Sequence, residues 1–287
     1  MTTNTTPRVL IIAGSDSSGG AGIQADIKTC AAFGVYAATA ITAVTAQNTV
    51  GVQQVEIMPA DLVRAQIRSV SSDIGADVIK IGMLGNAEII NVVAEEIEES
   101  DAFVILDPVM VATSGDTLLE TAAVTALIEK LLPLADLVTP NVPEAELLTG
   151  MKITDIDELT AAGDKLLTHN VYAALMKGGH LKGKSVVDVL VSEEGANIMS
   201  GPRLHTRHTH GTGCTLASAV AANMAMDIPL DEAVQIAREF VFQAIKTAPK
   251  LGAGNGPLNH GLVMELGEDD TPPESNNPFA ALKGLTS

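Results

Sequence analysis

Short apolar runs and longer amphipathic segments alternate along this chain. RVLIIAG (8–14), ATAITAVTAQ (38–47), DVIKIGML (77–84), AFVILDPV (102–109), DLVTPN (136–141) and YAALMKGG (172–179) have strand length. They are near-continuous apolar runs rather than alternating ones, the pattern of strands covered on both faces, as in a parallel sheet. The segments between them predict helices over 20–33, 59–74, 86–99, 119–132, 143–149, 155–169, 212–226 and 230–248. Asp61 and the pair Asp231 and Glu232 fall in predicted first turns, where the helix dipole favours negative charge. Residues 186–202 hold two strand-like runs with no helix between them, which predicts an antiparallel hairpin at one sheet edge. No internal repeat or linker divides the pattern, so it reads as one three-layer α/β/α domain over 1–266. The stretch 267–287, polar and proline-bearing, reads as a disordered tail.

Composition narrows the class. The core must be built from Ala, Val, Ile, Leu and Met, because aromatics are only 2% and tryptophan is absent. A formal net charge of −18 argues against nucleic acid or an anionic membrane as a partner. It also means that a polyanionic ligand would need local positive groups. Two cysteines, Cys30 and Cys214, are too few for a disulfide framework. The opening apolar run has no charged region ahead of it and reads as a first strand rather than a signal peptide. No apolar stretch has transmembrane length. A cytoplasmic protein is the expectation.

In open parallel sheets, ligands bind beyond the carboxyl ends of the strands. Those ends here carry GSDSSGGAG, TAQNT, GML, DPVM, TPNVPE and MKGGH. Gly19, Gly20 and Gly22 lack dinucleotide-site spacing after a strand, and no GxxxxGK[ST] loop occurs, which removes most support for a dehydrogenase. The bland reading of that loop is a flexible connection. Asp107 and Glu144 are ordinary turn and cap types singly; together they offer hard oxygens to Mg²⁺. Lys177 ends a strand before two glycines, either as a solvated lysine or as a phosphate-facing one.

The segment HTHGTGC (208–214) leaves three readings open. His208, His210 and Cys214 make a zinc site only if a further ligand appears. Cys214 is otherwise a buried inert thiol or a reactive one. Its place after a glycine turn favours reactivity, because helix N-termini attract anions and lower a thiol pKa. Such a turn would also hold the charge developing on a transferring phosphoryl group.

Taken together, AGSDSSGGAGIQADIKT, AVTAQNT, KIGML, LDPVM, TPNVPEAELL, MKGGH and THGTGCTLASA closely resemble the hydroxymethylpyrimidine/phosphomethylpyrimidine kinases of the thiamine pathway. These belong to the ribokinase superfamily, and the resemblance runs from about residue 8 to about 261. It implies a ribokinase-like fold with a central mainly parallel sheet, a homodimer, ATP with Mg²⁺, and room for a monovalent cation. It implies two phosphorylations in one site, of 4-amino-5-hydroxymethyl-2-methylpyrimidine and then of its monophosphate. By position, Gly211, Thr212, Gly213 and Cys214 would form the anion hole, with Cys214 as base. Asp107, Asn141 and Glu144 would organise Mg²⁺, and Lys177 would approach the nucleotide phosphates with Asn141 nearby. Gly14, Asp26, Val44, Gln47, Met83 and Val109 would line the pyrimidine pocket. Thr113 departs from relatives that carry lysine there, which would weaken phosphate binding. A pyridoxal, pyridoxine or pyridoxamine kinase on the same scaffold is the nearest alternative; a non-catalytic pyrimidine-binding sensor is the other.

Overall fold

Residues 6–110 and 121–262 are described by a computed structural model of the chain. Thr113 and the expected tail lie outside them. The strands are β1 (Arg8–Asp16), β2 (Tyr36–Asn48), β3 (Gly51–Ile57), β4 (Val78–Ile81), β5 (Phe103–Leu106), β6 (Leu137–Val138), β7 (Ala173–Lys177), β8 (Ser185–Ser192) and β9 (Gly195–Pro202). They form one sheet in the order β3-β2-β1-β4-β5-β6-β7-β8-β9. The six strands from β2 to β7 run parallel, while β3, β8 and β9 pair antiparallel at the edges.

The helices are α1 (Gly22–Ala32), α2 (Ala60–Ser71), α3 (Ala87–Ile97), α4 (Thr121–Ala126), α5 (Val142–Thr149), α6 (Ile156–Leu167), α7 (Thr212–Ala225) and α8 (Leu230–Lys246). They cover both faces and enclose two cores. One joins α1, α7 and α8 to the sheet through residues such as Ile11, Ile105, Leu175, Val220 and Phe240. The other joins α2 to α6 through Leu10, Ile81, Ile90, Leu106 and Leu166. Odd and even positions of β1 thus feed opposite cores, as the two-residue strand period requires. Burial of all four residues of β4 explains its unbroken apolar run, apart from one lysine.

Two expectations are corrected. The predicted strand 38–47 extends and folds back as β3, whose largely exposed GVQQVEI carries too little apolar signal to be read as a strand. The helix predicted over 119–132 does not run uniformly. After α4 its winding loosens over Leu127–Leu131 and tightens over Leu132–Leu134, where Pro133 cannot supply a helical N–H.

Strand order reverses around β1: β2 lies on one side and β4 on the other. The loops leaving β1, β4, β5, β6 and β7 therefore open on one crevice at the carboxyl ends of the strands, where such sheets hold ligands.

Candidate active site

A cavity of about 1000 Å³ occupies that crevice. Its walls include Gly14, Gln47, Met83, Val109, Asp107, Asn141, Glu144, Lys177 and the turn from Gly211 to Cys214. The structure thus gathers ten of the predicted positions, together with Thr212 and Gly213, into one space. Asp26 and Val44 are not in its wall. Asp26 is fully buried in α1, where its carboxylate meets Lys80 and Ser218, and Val44 is 44% exposed on β2. The family resemblance implied both for the pocket; in the structure Asp26 is sealed in the core and Val44 is exposed, and neither borders the cavity.

The acidic group centres on Asp107. Lys177 Nζ donates to its Oδ1 at 2.8 Å and Thr139 Oγ1 donates to the same atom at 3.0 Å. Burial works against ionisation of Asp107, yet the charges of Lys177 and Lys80 hold its carboxyl below the usual range. Glu144 Oε2 lies 4.0 Å from Lys177 Nζ. Burial dominates there and pushes its carboxyl up to about 7. The reason for the local geometry is a capping box: Asn141 Oδ1 accepts from Glu144 N–H, and Glu144 Oε2 accepts from Asn141 N–H. Asn141 therefore caps α5 while it borders the cavity.

The turn before α7 is open. Gly211 caps the helix in the left-handed region at φ 83° and offers no side chain to its first amides. A Cβ there would lie 1.8 Å from the Gly20 carbonyl oxygen, so only glycine fits. Thr212 N–H bonds Thr209, but Gly213 and Cys214 sit where no intrahelical acceptor exists, and both border the cavity.

Cys214 corrects one expectation. The helix terminus does not prevail over desolvation: burial pushes the thiol up to about 12, against the lowering charge of Lys80 and the Gly22 N–H bonded to the sulfur. The zinc alternative also changes. His210 Nε2 is 2.8 Å from Asp16 Oδ2, and His208 and His210 lie in a loop rather than a regular strand. Among the described residues no group of three or more His, Cys, Asp or Glu is placed to hold a metal ion.

Asp16 and Lys80 also border the cavity, and sequence reading passed over both. Asp16 accepts from Ser18 N–H and Oγ, Gly20 N–H and Ala21 N–H, which closes the glycine loop after β1 around a carboxylate. Burial opposes its charge, but His210 and Ser18 hold the carboxyl low. Lys80 is a fully buried cation inside an apolar strand, a signal visible in VIKI, since charged residues are rarely buried without a partner.

Residues 16–259 match the family described as phosphomethylpyrimidine kinase. A hydroxymethylpyrimidine/phosphomethylpyrimidine kinase of Rhizobium meliloti is 48% identical over 254 residues, covering 88% of this chain and 96% of the relative. Among solved structures, the phosphomethylpyrimidine kinase of Clostridium difficile superposes with a TM-score of 0.75 at 40% identity, over 84% of this chain and 100% of that one. The pyridoxal kinase of Staphylococcus aureus in complex with AMP-PCP and pyridoxal gives a TM-score of 0.84 at 34% identity, over 92% and 96% of the two chains.

Proposed function

The chain belongs to the phosphomethylpyrimidine kinase family, and from that premise we propose how its cavity works. It is an ATP-dependent kinase that phosphorylates 4-amino-5-hydroxymethyl-2-methylpyrimidine and then its monophosphate. The observation that carries the site assignment is convergence. The open α7 turn, the Lys177 ammonium and the buried carboxylates of Asp107 and Glu144 meet in one cavity despite an acidic chain.

Each group then has a task. The free amides of Gly213 and Cys214 favour the charge on the moving phosphoryl group. Lys177 supplies the local positive charge that nucleotide phosphates need. Cys214 is the proposed acceptor of the hydroxyl proton, a role that requires its thiolate and so requires bound substrate to offset the burial that pushes the thiol up to about 12. Transition states for phosphoryl transfer are loose in most analyses, so the nucleophile's proton is not required to leave early. Two buried carboxylates, without a third ligand nearby, suit Mg²⁺, which keeps much of its water and takes substrate phosphates as partners. Asp107 and Glu144 would hold it, and it would neutralise phosphate charge. The wall offers carbonyl and hydroxyl oxygens but no feature that singles out a monovalent cation. No helix among the described residues is long and apolar enough to cross a membrane, and a cytoplasmic location is part of the proposal. So is a homodimer, supported by exposed Tyr36, Val44 and Val55 on β2 and the edge strand β3. Sedimentation equilibrium reads the last directly.

Gln47 is the residue proposed to choose the ring. Its Oε1 accepts from Thr45 Oγ1 at 3.0 Å, leaving one lone pair and the amide N–H groups to the cavity. The pyrimidine presents an acceptor beside a donor, which that amide can pair. Pyridoxal presents no such edge. Steady-state phosphorylation of both substrate classes, with product mass separating mono- from diphosphate, tests the reading. In Gln47→Met the pyrimidine should lose about 5- to 150-fold in kcat/KM, the cost of 1–3 kcal/mol for an unpaired group. Pyridoxal should lose little. Equal losses with a lower Tm would assign Gln47 to structure alone.

A further inference from the structure

The loops that lead into α1 and α7 lie almost two hundred residues apart in the chain, yet a single side chain ties one to the other. His210 stands immediately before the open turn, and its Nε2 is 2.8 Å from Asp16 Oδ2. Both side chains are buried, and both residues border the cavity. Burial opposes ionisation of Asp16, but His210 and Ser18 hold its carboxyl low, so the carboxylate accepts and the histidine nitrogen donates. The imidazole lies close over the loop after β1: a Cβ at Gly20 would fall 2.6 Å from its Cδ2. At the other end of the turn the Gly22 N–H bonds the Cys214 sulfur. The loop after β1 thus holds the open turn both at its entry and at its thiol.

The same loop holds the side of the cavity assigned to the ring. Ser17 Oγ accepts from the Gln47 N–H at 2.8 Å and donates to the Gln47 carbonyl at 2.9 Å. Pairing of Ser15 with Val44 and of Asp16 with Thr45 keeps β1 and β2 in register up to that point. Two consecutive residues therefore grip the two parts of the cavity. Ser17 fixes the backbone of the residue assigned to the pyrimidine, and Asp16 fixes the turn assigned to the phosphoryl group.

We propose that His210 is a positioning residue that, through Asp16, sets the open turn in register with Gln47. A ring seated on Gln47 then presents its hydroxymethyl oxygen to the phosphoryl group held at the turn. The inference rests on the assignment of the pyrimidine to Gln47 and of phosphate to the turn. The Nε2–H of His210 is committed to Asp16 and its backbone N–H to the Gly256 carbonyl at 3.1 Å, so it reaches the reaction through the turn that follows it. Transfer needs the attacking and leaving oxygens roughly in line. A substrate hydroxyl out of line leaves water as the competing acceptor, which turns ATP into ADP and inorganic phosphate without phosphorylated pyrimidine.

His210→Met removes the donor, while Asp16 keeps the N–H groups of Ser18, Gly20 and Ala21. His210→Gln restores a donor, because its amide nitrogen stands as many bonds from the backbone as Nε2 does. Initial rates are measured on the full chain with ATP, Mg²⁺ and 4-amino-5-hydroxymethyl-2-methylpyrimidine. ADP and phosphorylated pyrimidine are counted separately, and circular dichroism verifies the fold. A misplacement of about 1 Å costs on the order of 10²-fold in rate. His210→Met should lose about 10- to 100-fold in kcat, with KM for the pyrimidine within about threefold because Gln47 still holds the ring. It should also form more ADP than product. His210→Gln should recover most of the kcat and the parent's ratio of ADP to product. If methionine impairs folding, His210→Asn, polar but one bond too short to reach Asp16, takes its place with the same expected losses. A folded variant with parental kcat and an unchanged ratio overturns the inference. So does a kcat loss that glutamine leaves unrecovered, or one in which KM for the pyrimidine rises in step while the ratio holds. Failure of the parent to phosphorylate the pyrimidine overturns the reading of the site itself, a different failure.

Discussion

Two glycine-rich loops lead into helices at this cavity, and they have opposite electrostatic characters. The loop after β1 runs from Asp16 to α1 and gathers its amides around its own carboxylate: Ser18, Gly20 and Ala21 all donate to Asp16. The turn before α7 has no carboxylate, no capping side chain and no acidic residue in its first turn. The loops also touch, through the 2.8 Å contact of Asp16 with His210 and the close approach of Gly211 to the Gly20 carbonyl. Glycine content therefore does not identify an anion site. What decides is whether the chain has already supplied the anion. The filled loop is a rigid wall, and the open one is left for a ligand.

The helices behind the two loops each carry a free thiol, Cys30 buried and Cys214 half-buried at the cavity, and desolvation pushes both up to about 12. Acidity alone cannot tell Cys30 from Cys214; place can. Cys214→Ala should lower turnover by about 10²- to 10⁴-fold, the range for a positioned acid–base group, with much smaller changes in substrate affinity. Cys30→Ala should leave turnover intact and cost on the order of 1 kcal/mol in stability. Parallel kinetics and urea melts on both variants test this. Comparable turnover losses in the two would erase the distinction between the loops.

The open turn is anchored from behind. Thr215 Oγ1 donates to the Gly211 carbonyl, so it can only accept from His260 Nε2, 2.9 Å away. Burial, aided by Lys28 and His210, pushes His260 down to about 4 from 6.5. The unfolded chain binds a proton in that interval and the folded one does not. The stabilisation is thus complete above pH 6.5 and is lost as pH falls towards 4. At about 1.4 kcal/mol per pH unit, the loss is on the order of 3 kcal/mol. In His260→Gln, which can still donate to Thr215, Tm should fall less between pH 7 and pH 4.5 than in the parent. Identical acid sensitivity would show that His260 is not the titrating anchor.

The filled loop can be emptied. Asp16→Ala leaves buried amides without their acceptor, a cost of about 1–3 kcal/mol. The vacated space then resembles the open turn, so formate at constant ionic strength should restore part of the lost Tm in the variant and none in the parent. Failure of formate to distinguish them would mean that the loop is held by its backbone rather than by the carboxylate.

Much of this was legible in the sequence because buried parallel strands leave long apolar runs and because strand ends collect polar residues. RVLIIAG and YAALMKGG became β1 and β7, and Asp107, Glu144 and Lys177, read from three separate segments, meet within one acidic cluster. What escaped depended on partners distant in the chain. The exposed β3 had no burial to imprint a pattern. Asp26 looked like a pocket residue until Lys80, 54 positions away, took its carboxylate. The field at Cys214 was read from the helix terminus alone, whereas desolvation, which depends on the whole fold, prevails.

The finest test of the open turn concerns space. Gly213 has no left-handed backbone requirement, unlike Gly211. A Cβ added there would lie 3.2 Å from Lys177 Nζ and 3.5 Å from Asp107 Oδ2. The ammonium ends a flexible side chain, so it can give by a few tenths of an ångström. Alanine also reduces the freedom of the unfolded chain, which stabilises by about 0.4–1 kcal/mol where the native backbone is compatible. Gly213→Ala should therefore leave Tm unchanged or slightly raised. The same methyl group would stand among the free amides and displace Lys177 from the space assigned to phosphate, so the KM for ATP should rise while that for the pyrimidine stays near its parent value. Urea melts and initial rates on one preparation give both numbers. A variant more stable and equally good with ATP would mean that the phosphate does not seat at Gly213, and that the open turn owes its missing cap to something other than a ligand.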